Sequence, residues 1–121
     1  MGTPGLNRPQ VEAMSIRYMA MSETTSWADR AWDAAGWNLV GGQSVVSTDV
    51  IYSLSVTNTH ASQTLYMLLK ANGSEATSAA IPILAGAKWS ADVYGAQIRT
   101  LSFQASGAAT TGVVHANWGA Q

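Results

Sequence analysis

The sequence predicts a mainly β protein: a single antiparallel β-sandwich or jelly-roll-like domain of about seven strands, preceded by an extended N-terminal arm and a short helical segment. Three observations carry this prediction. The 121 residues suffice for one domain. From residue 37 onwards, short stretches of alternating apolar and polar residues recur at intervals of roughly 8–12 residues. Before residue 37 the chain is richer in Met, Ala and Trp.

Residues 1–10 are predicted to form the extended arm. They include Pro4 and Pro9 and few side chains able to join a core, and proline restricts both its own backbone and that of the residue before it. Such a terminus is either a disordered tail or an arm that lies along a neighbouring subunit. Under the second alternative, the candidate partner contacts are Pro4, Leu6, Arg8 and Pro9.

The segment after the arm is predicted to be helical in part. Apolar residues in 11–21 fit both helical spacing and strand alternation, and helix is the preferred interpretation. In 26–36, Ser26 followed three residues later by Asp29 has the form of a capping box, and Gly36 suits a C-terminal cap.

Trp27 and Trp32 lie on this predicted short helix, with Trp37 just beyond it. A group of tryptophans invites a sugar-binding hypothesis, because flat rings stack on pyranose faces. At about 100° per residue, however, the first two rings lie about 140° apart round a helix and cannot form one platform. They are predicted to be core anchors or partner contacts, because aromatic side chains dominate buried and interface area.

The strands follow from alternation and from turn residues. Residues 50–58 alternate strictly, and 64–70 are predicted to be their antiparallel partner across a turn that contains His60. Further strands are predicted over 37–40, 81–84, 88–94, 98–105 and 112–118. The predicted organisation is an arm over 1–10, an arm or helical segment over 11–36, and the sandwich domain over 37–121.

The stretch IPILAGAKWSADVYG, residues 81–95, gathers many side chains of the kind found in functional sites. If its second half is a strand, Lys88, Asp92 and Tyr94 point to one face and Trp89 to the other. The functional alternative is a Lys88–Asp92 pair that flanks a pocket with Tyr94. The preferred interpretation is a half-buried strand with its charges in water, its tryptophan in the core, and Tyr94 as a candidate partner contact.

Composition excludes several classes of function. The six Lys and Arg residues lie far apart and the net charge is −1, so no nucleic-acid surface is predicted. The absence of cysteine removes disulfides, thiolate metal sites and thiol catalysis. No apolar run is long enough to span a bilayer. Charged residues make up 11% of the chain, against roughly 25% in a typical domain, which predicts a surface packed against other subunits.

The sequence also lacks the common catalytic and metal-binding motifs. His60 and His115 have no partner at HxH or HExxH spacing, and neither a GxSxG elbow nor a phosphate loop is present. We therefore predict no catalytic, cofactor-binding or metal-binding residue. A hydrolase assembled from distant Ser, His and carboxylate residues is the least favoured class.

From residue 56 onwards the sequence resembles the C-terminal β-sandwich of small tailed-bacteriophage virion proteins. The resemblance rests on an NTxASQxLY hairpin, an IPIxxG turn, a tryptophan before an acidic strand, an IxxLSFxASG segment and a final VxxxW strand. These motifs lie at 58–66, 81–86, 89–92, 98–107 and 114–118. Because they encode turns and core faces, no catalytic residue carries over to this chain.

The resemblance implies a non-enzymatic virion structural protein, assembled in the host cytoplasm and located on the capsid surface. It implies first a capsid decoration or cement subunit, bound to the major capsid protein and forming a homo-oligomer such as a trimer. No cofactor, nucleic acid or membrane is implied. A tail, collar or baseplate component is the alternative within the virion. A carbohydrate-binding module of the same fold stays open, and it needs coplanar rings such as Tyr94 with Tyr52 or Trp118.

Overall fold

The computed structural model describes residues 14–71 and 79–120. Within them, nine strands form two antiparallel sheets that pack as a β-sandwich, which confirms the predicted fold class. The strands are β1 Ser15–Glu23, β2 Ala28–Ala31, β3 Asn38–Gly42, β4 Val50–Asn58, β5 Leu65–Lys70, β6 Ile81–Ile83, β7 Lys88–Asp92, β8 Thr100–Ala105 and β9 Thr110–Gly119. Sheet A has the order β3-β1-β9-β4-β7, and sheet B has the order β2-β8-β5-β6.

The core lies between the inner faces of the two sheets because the long strands alternate. In β9, Val114, Ala116 and Trp118 are buried, whereas the residues between them point away from the core. Leu101 and Phe103 of β8 meet them from sheet B. Full burial of one large apolar side chain stabilises the fold by about 1.5–3 kcal/mol, so this layer supplies most of the driving force for folding.

The helical segment predicted within residues 11–36 is wrong for the part that the structure describes. Residues 15–23 form β1, which pairs with β9 along its whole length and with β3 on its other side. Residues 28–31 form β2 at the edge of sheet B. Pairing on both sides supplies backbone hydrogen bonds that outweigh a weak local preference for helix. The sandwich therefore includes residues 15–31, which the prediction placed outside a sandwich domain over 37–121. The predicted arm, residues 1–10, lies outside the described residues.

The predicted hairpin between 50–58 and 64–70 is also wrong, because the two strands belong to opposite sheets. β4 pairs with β9 and β7, whereas β5 pairs with β8 and β6. The segment between β4 and β5 therefore crosses from sheet A to sheet B. Gly86, whose φ is 75°, lies in the segment that crosses back between β6 and β7.

A buried asparagine holds these crossings together. Asn58 is fully buried, and its Nδ2 donates to the carbonyls of Gln63 at 2.8 Å and Ile83 at 2.9 Å. Its Oδ1 accepts a hydrogen bond from the His60 N–H at 3.0 Å. His60 Nδ1 in turn accepts from the N–H groups of Ser62 and Gln63. His60 is thus part of the turn, and its imidazole satisfies backbone donors.

One ion pair in the interior links the two sheets. Glu23, at the end of β1, is 1% exposed. Arg30 Nη2 on β2 donates to both of its carboxylate oxygens, at 3.1 and 3.0 Å. A buried carboxylate without a partner is strongly unfavourable, so this contact fixes how β2 sits against β1.

Candidate functional site

The side of sheet A that points away from the core presents an ordered array of side chains. Strand register aligns them in three rows across β1, β9, β4 and β7. The rows are Ile16, Asn117, Ser53 and Asp92; Tyr18, His115, Ser55 and Ser90; and Ala20, Val113, Thr57 and Lys88. These twelve side chains are called the outer face below.

The outer face carries very little charge. Its two formally charged side chains, Lys88 and Asp92, both lie on the edge strand β7. The three strands β1, β9 and β4 contribute hydroxyl, amide, imidazole, aromatic and aliphatic groups. A shallow depression in the middle is lined by Ser55, Ser90 and His115, among others. A surface of this kind offers hydrogen bonds and apolar contacts without the desolvation of many charges.

Contacts within the outer face are few. The rings of Tyr18 and His115 stack with centroids 5.9 Å apart and an interplanar angle of 30°. Asn117 Nδ2 donates to Ser53 Oγ at 2.7 Å. Among the described residues, the Ser55 and Ser90 hydroxyls have no hydrogen-bond partner. These hydroxyls are therefore available to a second molecule.

The depression contains serine, histidine and aspartate, and its geometry bears on the hydrolase hypothesis. A nucleophile and its base must lie within hydrogen-bond reach, about 3 Å. In the described residues no hydrogen bond joins His115 to a serine hydroxyl or to a carboxylate. Asp92 lies two strands and one row away from His115, which corresponds to a backbone separation of about 12 Å. The three residue types therefore line one depression without forming a catalytic triad.

Exposed apolar side chains lie on β1 and β3, at one edge of sheet A. Ile16 and Tyr18 of β1 are 43% and 38% exposed, and Leu39 and Val40 of the paired strand β3 are 53% and 58% exposed. Contiguous exposed apolar residues mark interaction sites more often than single ones do. The register sets Leu39 opposite Arg17, on the reverse side of the sheet from Tyr18. Exposed apolar residues therefore lie on both sides of this edge of sheet A.

A second group of aromatic residues lies at the corner where β4 and β7 meet. The rings of Tyr52 and Tyr94 have centroids 4.5 Å apart and an interplanar angle of 56°. Together with Met14, Ser53 and Asp92 they line a small hollow. The Tyr52 hydroxyl donates to the Ala120 carbonyl, which orients its ring.

The structure places the predicted residues of β7 as follows. Lys88, Ser90 and Asp92 point outward, and Trp89 packs against the core, so the predicted division of faces is confirmed. Lys88 and Asp92 are four residues apart on an extended strand, which corresponds to about 13 Å. The alternative Lys88–Asp92 pair is therefore wrong. Tyr94 is 40% exposed and belongs to a short 3-10 helix, Tyr94–Ala96, rather than to the strand.

The predicted aromatic contacts fall in different environments. Trp27 is half-buried, and Trp32 is half-buried and packs against the core. Trp37 meets Trp118 edge-to-face, with centroids 6.0 Å apart. Trp118 is fully buried, so it cannot join Tyr94 in a surface platform for sugars. The predicted arm contacts Pro4, Leu6, Arg8 and Pro9 lie outside the described residues.

Most of the outer face was not predicted as a candidate site. Serine, threonine and asparagine carry no distinctive chemistry one at a time, and their neighbours come from strands far apart in sequence. One signal was present: every second residue from Ser53 to Thr57 is a small hydroxyl residue. That pattern identifies a solvent face without charge, which is unusual for a strand facing water.

Two further features are absent from residues 14–71 and 79–120. No helix there has the length and apolar character needed to cross a membrane. In the same residues, no group of three or more His, Asp or Glu side chains is placed to hold a metal ion.

The chain shares its fold with a protein of known structure. It superimposes on a chain of Bacillus endospore appendages, a family of disulfide-linked pili, over 89% of this chain and 88% of that one, with a TM-score of 0.60 and 12% identity. A Tobacco streak virus coat protein dimer matches over 90% and 87% of the two chains, with a TM-score of 0.44 and 10% identity.

The capsid asymmetric unit of cyanophage Pam1 matches over 89% and 85% of the two chains, with a TM-score of 0.37 and 10% identity. The first likeness shows a common β-sandwich fold, and the two viral likenesses are too loose to support more. No protein-family model and no curated protein matches the chain.

Proposed function

We propose that this chain is a non-enzymatic structural subunit that binds other subunits of an assembly through the outer face of sheet A. The observation that carries the proposal is the lack of charge on that face: three of its four strands present no formally charged side chain. The cores of protein interfaces are depleted of charge and enriched in aromatic residues. Tyr18 lies in the middle row, opposite Asn38 of β3 and stacked on His115.

The fold is compatible with this role. The Bacillus endospore appendages that contain the similar chain are pili, so this sandwich architecture occurs in a pilus. Those pili are disulfide-linked, whereas this sequence has no cysteine. Contacts between copies of this chain would therefore be non-covalent, and their strength would come from buried area and hydrogen bonds.

The specific role we propose is capsid decoration or cement in a tailed bacteriophage. The sequence motifs between residues 58 and 118 support it through their resemblance to virion proteins. The partner is then the major capsid protein, the location is the outer surface of the particle, and residues 1–10 act as an arm across neighbouring subunits. Pro4, Leu6, Arg8 and Pro9 are the proposed contacts of that arm, with Trp27, Trp32 and Tyr94 on the sandwich. The proposed oligomer on the particle is a trimer. The alternative location is the tail, collar or baseplate.

A charge placed in the middle of the outer face tests the proposal. The probe is a set of heads and tails purified from a phage strain that lacks the gene for this chain. We expect the wild-type chain to bind heads and Ser55→Glu to bind them about tenfold more weakly, because an unpaired charge would be buried at the interface. The matched control is Thr100→Glu on the outward side of sheet B, which should bind as the wild type does.

Three outcomes would contradict parts of the proposal. Failure of the wild-type chain to bind either heads or tails rules out a virion role. Binding to tails alone moves the role from the capsid to the tail. Equal binding by Ser55→Glu and Thr100→Glu, with both variants folded, shows that the outer face is not the contact.

Deletion of residues 1–10 tests the arm separately. The sandwich begins at β1, Ser15–Glu23, so the shortened chain should keep the wild-type unfolding temperature. We expect its affinity for heads to fall while its circular dichroism spectrum stays the same. Unchanged affinity would remove the arm from the proposal and leave the outer face as the contact.

One observation favours glycan binding as a second candidate function. Tyr52 and Tyr94 lie side by side next to Asp92, a residue type able to accept hydrogen bonds from sugar hydroxyls. The rings are tilted by 56° and therefore do not form one flat platform. Glycan-array binding that is lost in Tyr94→Ala would favour this function, and an array without signal would exclude it for the glycans tested.

A further inference from the structure

Within residues 14–71 and 79–120, strand β7 forms an edge of sheet A and pairs on one side alone, with β4. The Asn58 N–H donates to the Ala87 carbonyl, and the Val93 N–H donates to the Tyr52 carbonyl. In an antiparallel pair, backbone groups alternate between the two sides of the strand. The Ala87 C=O, the Val93 N–H and both backbone groups of Trp89 and Ala91 therefore face β4. Those of Lys88, Ser90 and Asp92 point away from the sheet, at its open edge.

The other three sheet edges have features that disfavour pairing with a further strand. β6 has three residues, and its middle residue, Pro82, has no N–H to donate. β3 contains Gly41 and Gly42 and is out of register with β1 between Ile16 and Arg17. β2 has four residues. By contrast, β7 has five residues without proline or glycine, and its register with β4 is unbroken. β7 is thus the most regular edge in the described part of the chain.

The charges on β7 lack partners within the described residues. The described residues form two ion pairs, Arg30–Glu23 and Lys70–Asp29. Lys88 and Asp92 take part in neither. The two side chains lie on the same face with Ser90 midway between them. Their separation along the strand, about 13 Å, keeps them from pairing with each other. One strand therefore presents a positive and a negative charge placed symmetrically about a central serine.

We propose that two copies of this chain pair through β7, antiparallel and with a two-fold axis at Ser90. In this register Lys88 of each copy lies directly opposite Asp92 of the other, on the same face. The outward backbone groups of residues 88, 90 and 92 then form about six hydrogen bonds between the copies. Opposite charges that face each other across a strand pair stabilise it. The inference names a second copy as a partner, and it stands whether or not the outer face binds a virion.

The other side chains of β7 fit the same register. Trp89 lies opposite Ala91 of the second copy, so a large side chain meets a small one on the core side of the strand. Shifting the register by two residues keeps the hydrogen-bonding pattern but removes both Lys88–Asp92 contacts. The charges therefore select the register centred on Ser90. The product is a continuous ten-stranded sheet, with two outer faces on one side.

Charge exchange tests this pairing, with mass measured by sedimentation velocity and native mass spectrometry on the full chain. We expect the wild type to be a dimer. Lys88→Asp places two aspartates opposite each other at both ends of the interface, and Asp92→Lys places two lysines there. Each variant should dimerise at least about tenfold more weakly than the wild type. The matched control Asp33→Lys reverses an exposed charge in the β2–β3 turn and should dimerise normally.

Mixing the two weakened variants gives the sharpest result. A heterodimer of Lys88→Asp with Asp92→Lys has opposite charges at both ends of the interface, so an equimolar mixture should recover dimers that contain one copy of each. The double variant Lys88→Asp/Asp92→Lys should dimerise as the wild type does. Ser90→Pro removes the outward N–H at the two-fold axis without touching a bond to β4, and it should weaken dimerisation in every charge background.

Failure of this inference can be told apart from failure of the proposed function. A wild-type chain that stays monomeric at about 100 µM overturns the β7 pairing, as do single variants that dimerise normally or a mixture that forms no heterodimer. If such a chain still binds phage heads and Ser55→Glu does not, the outer-face proposal stands alone. If the dimer forms but neither heads nor tails are bound, the β7 pairing stands and the virion role fails.

Discussion

Two polar groups between the sheets and two on the outer face of sheet A differ in their hydrogen bonds within the chain. Glu23 and Asn58 are buried, and each is held by two or more hydrogen bonds within the chain. Ser55 and Ser90 on the outer face have no such partner among the described residues. Hydrogen bonds to Glu23 and Asn58 offset the free-energy cost of burying a polar group, whereas the buried Ser15 Oγ and Trp118 Nε1 have no partner among the described residues. The outer groups remain available, so stability and association are assigned to different residues.

The largest expected effect comes from breaking the interior ion pair. Arg30→Met leaves the Glu23 carboxylate buried without its partner, and we expect the free energy of unfolding to fall by about 3–5 kcal/mol. Urea denaturation followed by tryptophan fluorescence measures the change. The double variant Glu23→Leu/Arg30→Met removes both charges and should recover most of the lost stability. A loss below about 1 kcal/mol for Arg30→Met would mean that the interior pair behaves like a surface pair.

Asn58→Ala has the next largest expected effect. The change leaves the buried carbonyl of Ile83 and the half-buried carbonyl of Gln63 without their side-chain donor, and we expect a loss of about 2–3 kcal/mol in the free energy of unfolding. Asn58→Asp keeps the acceptor for the His60 N–H but removes both donors, so it serves as the matched comparison. If Asn58→Ala is as stable as the wild type, the crossing between the sheets does not depend on this side chain.

The sequence predicted the fold correctly where the local residue pattern and the long-range strand pairing favour the same structure. Residues 53–57 alternate strictly, so their strand type and their buried face were predictable. The irregularity between Ile51 and Ser53 was not, and Val50 and Ile51 are both buried. Residues 15–23 fit helical and strand periods equally, and only pairing with β9 over nine residues decides between them. The partner of β4 could not be predicted from the turn, because a short connection serves a hairpin and a crossing between sheets alike.

The candidate site was less predictable than the fold for a related reason. The outward direction of Lys88 and Asp92 followed from alternation, whereas Tyr94, predicted on the same strand face, belongs to the 3-10 helix that follows β7. The outer face, however, joins residues from β1, β4, β7 and β9, which are as far apart in sequence as Ile16 and Asn117. Sequence alone gives each strand its face, whereas only the order of strands in sheet A brings those faces together.

The outer face itself should tolerate truncation with little change in stability. Asn117→Ala removes its 2.7 Å hydrogen bond to Ser53 Oγ at a half-buried site, and we expect the free energy of unfolding to change by about 0.5 kcal/mol or less. Binding to other subunits, measured on the same preparation, should weaken. A loss above about 2 kcal/mol would show that this hydrogen bond is part of the fold, and the division between stabilising and associating residues would then fail.

The smallest expected effect concerns the exposed ion pair on sheet B, in which Lys70 Nζ lies 3.2 Å from Asp29 Oδ1. The Ser102 hydroxyl beside Asp29 is the main cause that lowers the pKa of this carboxyl below its ordinary value of 3.8, and Lys70 adds to it, against partial burial, which raises it. Because the folded pKa is below the unfolded one, the stabilisation is present above the unfolded pKa and is lost as pH falls through the folded pKa.

We therefore expect Asp29→Asn to be less stable than the wild type at pH 6, by less than about 1 kcal/mol since the carboxylate is mostly exposed and screened. The difference should shrink as the pH is lowered below 3.8, the ordinary value of this carboxyl. Parallel urea titrations of the two proteins between pH 6 and about pH 2 measure it. A difference that grows on acidification has the wrong sign for a carboxylate stabilised in the folded state. If Asp29→Asn lowered the free energy of unfolding as much as Arg30→Met does, the degree of burial would not determine how much each ion pair contributes to stability.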